Sequence, residues 1–423
     1  MLSTLRNAWK VPELRKRFLW TIFLVAIFRI GIHIPVPGID TSALSTLTES
    51  GGLLSFYNLI SGGAFTKASI LALSVSPYIN ASIIMQLLTI AIPSLEQLSK
   101  EGEEGRKKIQ SITRYVSIGI ACVLALGVYS TIANLGATSG VGTPEKIVII
   151  FSLVVGSTFC MWLGDQITQK GFGNGVSILI FVNIVSQIPS TVNSVYTLKT
   201  AGEISIIEIL LFLVGVIALL AVTIFFSLAE RRVPIQYAGK AVGSKVMKGQ
   251  STHIPLSIIG SAVIAIIFAM SVMMFPTTIA AFFPSKGWAS WITSSKYSIF
   301  NTGTWMYPVC YSVLTMFFTW FYTQITFKPD EMAENLHKSA GFVPGIRPGE
   351  ATEKYFENLL TKVSIIGGLF AAFLAVTPIL VGKYISGVQF GGTSLLILIG
   401  VALDFSRQLD SQLVMRHYDG FLK

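Results

Sequence analysis

The 423-residue sequence has few charged side chains for its length. Only 12% of its residues are charged, whereas soluble domains carry about 25%. Hydrophobic residues make up 52% of the chain, and the mean hydropathy is +0.67. This composition excludes an ordinary soluble domain. It predicts an all-α polytopic membrane protein, because a helix satisfies its own backbone hydrogen bonds within lipid.

Residues that usually carry catalysis or bind metals are also scarce. Cys122, Cys160 and Cys310 all lie in apolar segments without paired spacing, so we expect neither a disulfide framework nor a zinc site. The four histidines are scattered, and the sequence has no H-E-x-x-H motif and no G-x-x-x-x-G-K-[ST] nucleotide loop. We therefore expect no enzyme activity, no metal and no cofactor.

Long apolar runs, by contrast, are abundant. Together with the Lys and Arg residues between them, they predict ten transmembrane helices. The predicted spans are residues 18–34, 77–93, 115–135, 147–167, 176–195, 206–228, 254–275, 305–326, 360–381 and 391–405.

Positive charge is distributed unequally between the two faces that these spans define. Of the 31 Lys and Arg residues, 24 fall on one face, six fall on the other, and Arg29 lies within the first span. The positive-inside rule places the basic face in the cytoplasm. An even number of spans then puts both termini on the cytoplasmic side.

The ten spans divide at a polar stretch. We predict an N-terminal half over residues 1–195, a hinge loop over residues 196–205 and a C-terminal half over residues 206–423. Five spans is an odd number, so the second half starts on the opposite face from the first. If the halves are structurally related, they form an inverted pair.

One stretch is helical in composition but too short to cross the membrane. Residues 62–74 are 13 residues, whereas a hydrocarbon core of ~30 Å needs about 20. Gly62 and Gly63 begin the stretch, and Pro77 predicts a break after it. Broken backbone at membrane depth is tolerated where it is buried in protein or lines a watery cavity. The stretch therefore indicates a re-entrant helix in a pore, with an interfacial segment as the alternative.

Two loops on the basic face are long enough to serve as docking surfaces: residues 230–253 and 328–358. The first carries Arg231, Arg232 and Lys240. In the second, Pro and Gly residues on both sides of Arg347 predict a stiff turn. The alternative is that both loops only connect spans and set the topology. The net charge of +10 suits anionic lipid, ribosomal RNA or an acidic protein surface equally well.

Two long motifs resemble signatures of the SecY family of protein-translocation channels. The first is residues 69–88, S-I-L-A-L-S-V-S-P-Y-I-N-A-S-I-I-M-Q-L-L, with Ser74 and Asn80 where the family more often has Gly and Ser. The second, residues 162–180, contains G-D-Q-I-T and G-F-G-N-G-V-S, with Asp165 where Glu is frequent. Shorter similarities follow in the family order, so the resemblance covers essentially the whole chain. They lie at residues 28–38, 100–108 and 341–350.

The resemblance implies a clamshell of two inverted five-helix halves around an hourglass pore. A ring of aliphatic side chains closes such a pore at mid-membrane, and the short helix before the second span plugs it. A lateral gate opens to lipid between spans two and three on one side and spans seven and eight on the other. Carried over by position, the ring consists of Ile79, Ile83, Val176, Ile180, Ile267 and Ile397. The plug includes Gly62, Gly63, Ala64, Phe65, Thr66, Lys67, Ala68, Ser69, Ile70 and Leu71.

The residues alone leave the ring open to a second interpretation. Ile79 and Ile83, like Val176 and Ile180, are four residues apart and share a helix face. A narrow apolar constriction resists ions by expelling water. Ordinary helix packing is the alternative, because isoleucine pairs are common in membrane helices. Val176 also departs from the isoleucine that is usual in the family.

The resemblance further implies a channel that passes unfolded secretory preproteins with their signal peptides across the bacterial inner membrane. Hydrophobic segments would leave sideways into membrane lipid. Because the chain has no ATP site, the SecA motor or the ribosome would drive transport. Either driver would dock on Arg231, Arg232, Lys240 and Arg347. SecE and SecG are the implied membrane partners.

Two other classes compete with this interpretation. A secondary transporter also uses inverted repeats and broken helices, but it needs ionisable groups at the midplane. Arg29 is the one clear intramembrane charge, and it costs at least ~2.5 kcal/mol at the bilayer centre unless it is partnered. We expect it to snorkel or to bind backbone carbonyls. An intramembrane protease would need paired Asp or a Ser/His constellation within the spans, and these are absent from the sequence.

Overall fold

The computed structural model is mostly helical, as predicted. It describes residues 9, 11–39, 58, 61–134, 142–202, 205–237, 241–242, 245–246, 251–260, 262–282, 286–301, 303–384 and 392–421. The helices are α1 (Pro12–Gly31), α2 (Ser76–Ala91), α3 (Pro93–Lys100), α4 (Glu103–Asn134), α5 (Thr143–Lys170), α6 (Gly175–Thr200), α7 (Ile206–Leu228), α8 (Ala262–Phe282), α9 (Gly287–Ser294), α10 (Met306–Phe327), α11 (Pro329–Lys338), α12 (Glu350–Tyr384) and α13 (Gly392–Phe421). The strands are β1 (Glu230–Tyr237), β2 (Ala241–Val242), β3 (Lys245–Val246), β4 (Ser251–Ser257) and β5 (Gly341–Phe342).

Each predicted span overlaps one helix, namely α1, α2, α4, α5, α6, α7, α8, α10, α12 and α13. Among the described residues, α4, α5, α6, α7 and α12 satisfy a spanning criterion by length and apolarity alone. Pro93 ends the second span, because the chain bends by 100° between α2 and α3. The α6 helix continues to Thr200, so the first part of the predicted hinge loop is helical.

The predicted start of the seventh span is wrong. Residues 251–257 form strand β4, and helix α8 begins only at Ala262. The apolar residues Ile254 and Leu256 alternate with other residues along this strand, and Leu256 is fully buried. A period of two belongs to a strand with one buried face rather than to a membrane helix.

The halves of the clamshell meet along two lines. Helix α8 packs against α2 and α4 on one side, and α13 packs against α6 on the other. Within the C-terminal half, α10 packs along α12 and against α8. Helix α7 lies at the periphery, because only 6% of its apolar stretch is buried against the rest of the protein.

Glycines join α5 to α6 through a tight turn. Gly173 has a φ of +79°, a conformation that glycine adopts without steric cost. A Cβ on Gly175 would lie 1.9 Å from the carbonyl oxygen of Gly164. The two helices can therefore approach this closely only without a side chain at Gly175.

The two predicted docking loops fold together instead of forming separate connections. Strand β1 pairs with β4 from the same loop and with β5 from the second loop, and both pairings are antiparallel. One buried cluster lies beneath this sheet and includes Val233, Leu256, Leu336 and Phe356. The sheet, α11 and the start of α12 thus form one unit, which we call the cytoplasmic platform after the side on which the positive-inside rule predicts these loops.

Residues 61–75, here called the plug segment, form successive turns. The prediction of a regular helix over residues 62–74 is therefore wrong. Ala68 and Ser74 have φ values of +47° and +49°, which interrupt a right-handed helix. Ser69 instead forms an antiparallel bridge with Pro35, so the segment pairs with the chain that follows α1.

Candidate pore and docking surface

Side chains from four helices converge on one apolar cluster. Ile79 of α2, Val176 and Ile180 of α6, Ile267 of α8 and Ile397 of α13 all pack into it. Ile83, one turn along α2, is also buried, but the described contacts do not join it to this cluster. Five of the six residues predicted for the ring are thus brought together.

The plug segment packs against the same cluster. Ala64, Ile70, Leu71 and Val75 contact it. Four other residues of the segment belong to a neighbouring cluster that includes residues of α4 and α5, and they are Phe65, Ala68, Ala72 and Leu73. The segment therefore lies between the cluster that contains Ile79 and Ile180, which we call the pore cluster, and the helices of the N-terminal half.

Polar atoms hold the ends and the outer surface of the plug segment. At the start of the segment, Gly62 and Gly63 have φ values of +68° and +85°, a region that glycine adopts without steric cost. The hydroxyl of Ser69 donates to the Gly31 carbonyl at 3.0 Å. Lys67 is exposed, and its Nζ lies 2.9 Å from His33 Nε2.

Arg29 has a side-chain partner that the sequence reasoning missed. Its Nη1 lies 3.5 Å from Oδ1 of Asn183 on α6. The Nδ2 group of Asn183 donates to the Ser74 hydroxyl at 3.3 Å. The one signal in the sequence was a lone asparagine three residues after Ile180, which places it on the ring face of α6.

The two halves share a hydrogen bond on the side where α2 meets α8. The Ser271 hydroxyl of α8 donates to Asn80 Oδ1 of α2 at 2.8 Å. A single bond between uncharged groups contributes only about 0.5–1.5 kcal/mol. The contact between the halves on this side therefore includes a polar pair beside the packing of α8 on α2 and α4.

The cytoplasmic platform presents three of the predicted docking residues. Arg231 and Arg232 are exposed on β1, and Arg347 is exposed between two turns. The Thr352 hydroxyl donates to the Arg347 carbonyl at 2.8 Å, which ties the turn to α12 and leaves the guanidinium to solvent. Lys240 lies outside the described residues.

Acidic groups beside these arginines are engaged within the platform. Lys354 hydrogen-bonds Glu350 at 2.8 Å, and this bond lowers the pKa of the Glu350 carboxyl. Glu230 lies 3.7 Å from Arg407 of α13.

Gly156→Ala is expected to displace the plug segment. A Cβ on Gly156 of α5 would lie 1.8 Å from the carbonyl oxygen of Ile70, so either the helix or the plug segment must move. Overpacking of this kind costs on the order of 1–3 kcal/mol, which predicts at least a fivefold rise in ion conductance in planar bilayers. Gly215→Ala on α7 is the matched control, because that Cβ would meet nothing within 4 Å apart from its chain neighbours and the backbone of its own helix. Equal conductance of the two variants would contradict this position of the plug.

The fold and the site together define a polytopic membrane channel of two helical halves, in which five predicted ring residues and part of the plug segment share one apolar cluster. The family model of SecY matches residues 69–406. Two curated relatives, both called Protein translocase subunit SecY, come from Rickettsia typhi and Escherichia coli K12. They are 40% and 39% identical over 97% of this chain and over 96% and 94% of their own lengths. The chain therefore belongs to the SecY family and is a protein-translocation channel.

Solved structures show the same fold at low sequence identity. A chain described as a protein conducting channel matches with a TM-score of 0.64 at 17% identity and 97% coverage of both chains. A SecY structure described by the plug domain that stabilises its closed state matches with a TM-score of 0.62 at 16% identity, also over 97% of both chains. Sec61 from a canine ribosome-channel complex matches with a TM-score of 0.59 at 17% identity over the same shares.

Proposed function

We propose that this protein is the pore-forming subunit of a bacterial Sec translocase. Unfolded secretory preproteins would cross the inner membrane through it, and their hydrophobic segments would leave sideways into lipid. The observation that carries the proposal is one apolar cluster that joins predicted ring residues from four helices to the plug segment.

Such a cluster suits a channel whose cargo varies in sequence. Apolar contact has no directional requirement, so aliphatic side chains can close around many different residues. When the chain has passed, the same side chains exclude water and hence ions. Residues 62–74 are the proposed plug. The proposed seal is the ring of Ile79, Ile83, Val176, Ile180, Ile267 and Ile397.

The lateral exit is proposed where α8 meets α2 and α4. These helices correspond to spans seven, two and three, and the hydrogen bond between Ser271 and Asn80 crosses the contact. Separation along this line would expose the pore to lipid. The hinge would then lie opposite, at residues 196–205, between an N-terminal half of residues 1–195 and a C-terminal half of residues 206–423.

Energy for transport is proposed to come from the SecA ATPase or from a translating ribosome. The cytoplasmic platform supports this, because Arg231, Arg232 and Arg347 are exposed on one folded unit. Lys240 is proposed to extend the same surface. A relative of the same fold, Sec61, occurs in a ribosome-channel complex, and ribosomal RNA offers the negative charge that such a surface attracts.

SecE and SecG are proposed as membrane partners that complete the translocase. Only 6% of the apolar stretch of α7 is buried, which leaves room for a partner helix or for lipid. The excess of Lys and Arg on one face supports an inner-membrane orientation with both termini in the cytoplasm.

Reconstitution into lipid vesicles tests the function. The protein with SecE, SecG and SecA should move a preprotein into the lumen, where added protease cannot reach it, only when ATP is present. Vesicles without the protein are the control. If no protected preprotein forms while a small solute drives ion flux, the protein acts as a secondary transporter instead.

A further inference from the structure

Helix α6 carries two amide side chains on the face that continues the pore cluster. Ile180, Asn183 and Gln187 are spaced i, i+3 and i+7, so they lie along one side of the helix. Asn183 is fully buried, and Gln187 is partly buried. The face that is apolar at the cluster thus becomes polar within one turn.

Asn183 contacts both ends of the plug segment. Its Nδ2 donates to the Ser74 hydroxyl at 3.3 Å, where the segment ends. At the start, a Cβ added to Gly62 would lie 2.6 Å from Asn183 Oδ1, so the Gly62 backbone packs directly on the amide. The same oxygen lies 3.5 Å from Arg29 Nη1. One side chain therefore links the plug segment to α1 and α6.

Gln187 reaches the plug segment one turn further along α6. Its Nε2 donates to the Asn58 carbonyl at 3.2 Å. The Asn58 side chain in turn accepts from the backbone N–H and the hydroxyl of Thr66, at 3.1 and 2.9 Å. The amide of Gln187 is thus coupled through Asn58 to the middle of the plug segment.

We propose that Asn183 and Gln187, together with Arg29, are positioning residues that hold the plug in its closed place and set how readily it leaves. We call these three residues the plug clasp. The inference rests on the proposed role of residues 62–74 as a displaceable plug. It adds the residues that retain the plug, which lie on α1 and α6 rather than in the plug itself.

Hydrogen bonds suit this role because they are directional and exchangeable. Apolar contacts alone would allow the plug to bind in several positions. Two amide groups at a fixed spacing allow only one position, because both must meet their hydrogen-bond partners. When the plug leaves, water in the opened pore replaces the lost partners, so each bond changes the ratio of closed to open channels by only about two- to tenfold. The clasp is therefore specific but weak enough to release.

Asn183→Leu tests the clasp in the full-length protein reconstituted with SecE and SecG. Loss of both amide contacts should raise resting ion conductance in planar bilayers by about tenfold. A second readout is an Ala64→Cys reporter, with Cys122, Cys160 and Cys310 replaced by Ala. Ala64 is fully buried, so its labelling by a soluble maleimide should accelerate by a similar factor. Asn193→Leu, at an exposed position on the same helix, should change neither readout.

Two further variants separate a clasp from a general packing defect. Gln187→Leu lies at a partly buried position and should raise conductance about two- to tenfold, even if Asn183→Leu impairs assembly. Ser74→Ala combined with Asn183→Leu should conduct no more than Asn183→Leu alone, because both remove the same bond. If the double variant instead conducts more than Asn183→Leu alone, the two side chains act independently, and the proposed hydrogen bond between them is wrong.

Removal of residues 62–74 distinguishes failure of the clasp from failure of the plug. Suppose that the channel without these residues conducts ions, while the Asn183→Leu and Gln187→Leu channels conduct no more than the unmodified channel. The proposal of the plug clasp is then wrong, and the proposal of the plug is retained. If the deletion itself stays tight, these residues are not the seal, and both proposals fail.

Discussion

Arg347→Glu is expected to abolish SecA-driven transport and to leave membrane assembly intact. The Arg347 side chain is exposed, and it is the carbonyl, not the guanidinium, that accepts the bond from Thr352. The turn should therefore survive the substitution. Reversing a charge against an acidic partner costs about 2–5 kcal/mol, which corresponds to at least a thirtyfold loss of transport. The measurement is the amount of protease-protected preprotein in vesicles.

Lys338→Glu is the matched control for this charge reversal. Lys338 ends α11 on the same cytoplasmic platform and is exposed, with an ion pair to Glu334 at 2.7 Å. Exposed pairs of this kind contribute about 0–1 kcal/mol, so transport should fall only slightly. Loss of assembled protein in the Arg347 variant would make the turn structural and contradict its docking role.

Ile267→Gly combined with Ile397→Gly is expected to make the resting channel leak ions. The two side chains belong to the pore cluster, one from α8 and one from α13, and part of the plug segment packs into the same cluster. Truncating a buried isoleucine removes roughly 2–5 kcal/mol of packing and leaves space that water can enter. Conductance in planar bilayers should rise by well over about tenfold.

Val272→Gly controls for the glycine itself. Val272 lies on α8 with 44% of its surface exposed, so the substitution carries the same helix penalty of about 1 kcal/mol without opening the cluster. Ile267→Gly alone should leak more than Val272→Gly. Matching conductance would mean that the cluster is ordinary helix packing, the alternative that the sequence left open.

The membrane helices were predictable because their signal is local. A run of about 20 apolar residues between basic loops indicates a span whatever surrounds it, and α7 is the clearest case. The cytoplasmic sheet was not predictable in this way. Strand β5 pairs with β1, which lies about a hundred residues earlier in the chain. Because β5 has only two residues, its sequence cannot show the alternation of apolar and polar residues that indicates a strand.

Pairing between distant segments also explains the two errors near the pore. The plug segment has a helical composition, but Ser69 pairs with Pro35, and Ala68 adopts a positive φ. Asn183 is a single polar residue in an apolar run, and its contacts with Arg29 and Ser74 span 154 and 109 residues of sequence. Tertiary contacts decide both features.

Asp165 shows the same limit outside the pore. This residue pairs with Arg114 of α4 at 2.8 Å, a contact between two helices that no local sequence pattern indicates. The ring positions, in contrast, followed from the family resemblance and their shared helix faces. Five of them do meet in one cluster.

The translocating chain is proposed to pass through the pore cluster. Photo-crosslinking probes at Ile79, Ile180 and Ile397, one on each of α2, α6 and α13, test this path against a stalled secretory chain. Probes at Leu211 and Phe225, exposed on α7, serve as the outer reference. Crosslinks are expected from the three inner probes, with little reaction from the outer two. Crosslinks from α7 alone would place the path of the chain outside the cluster.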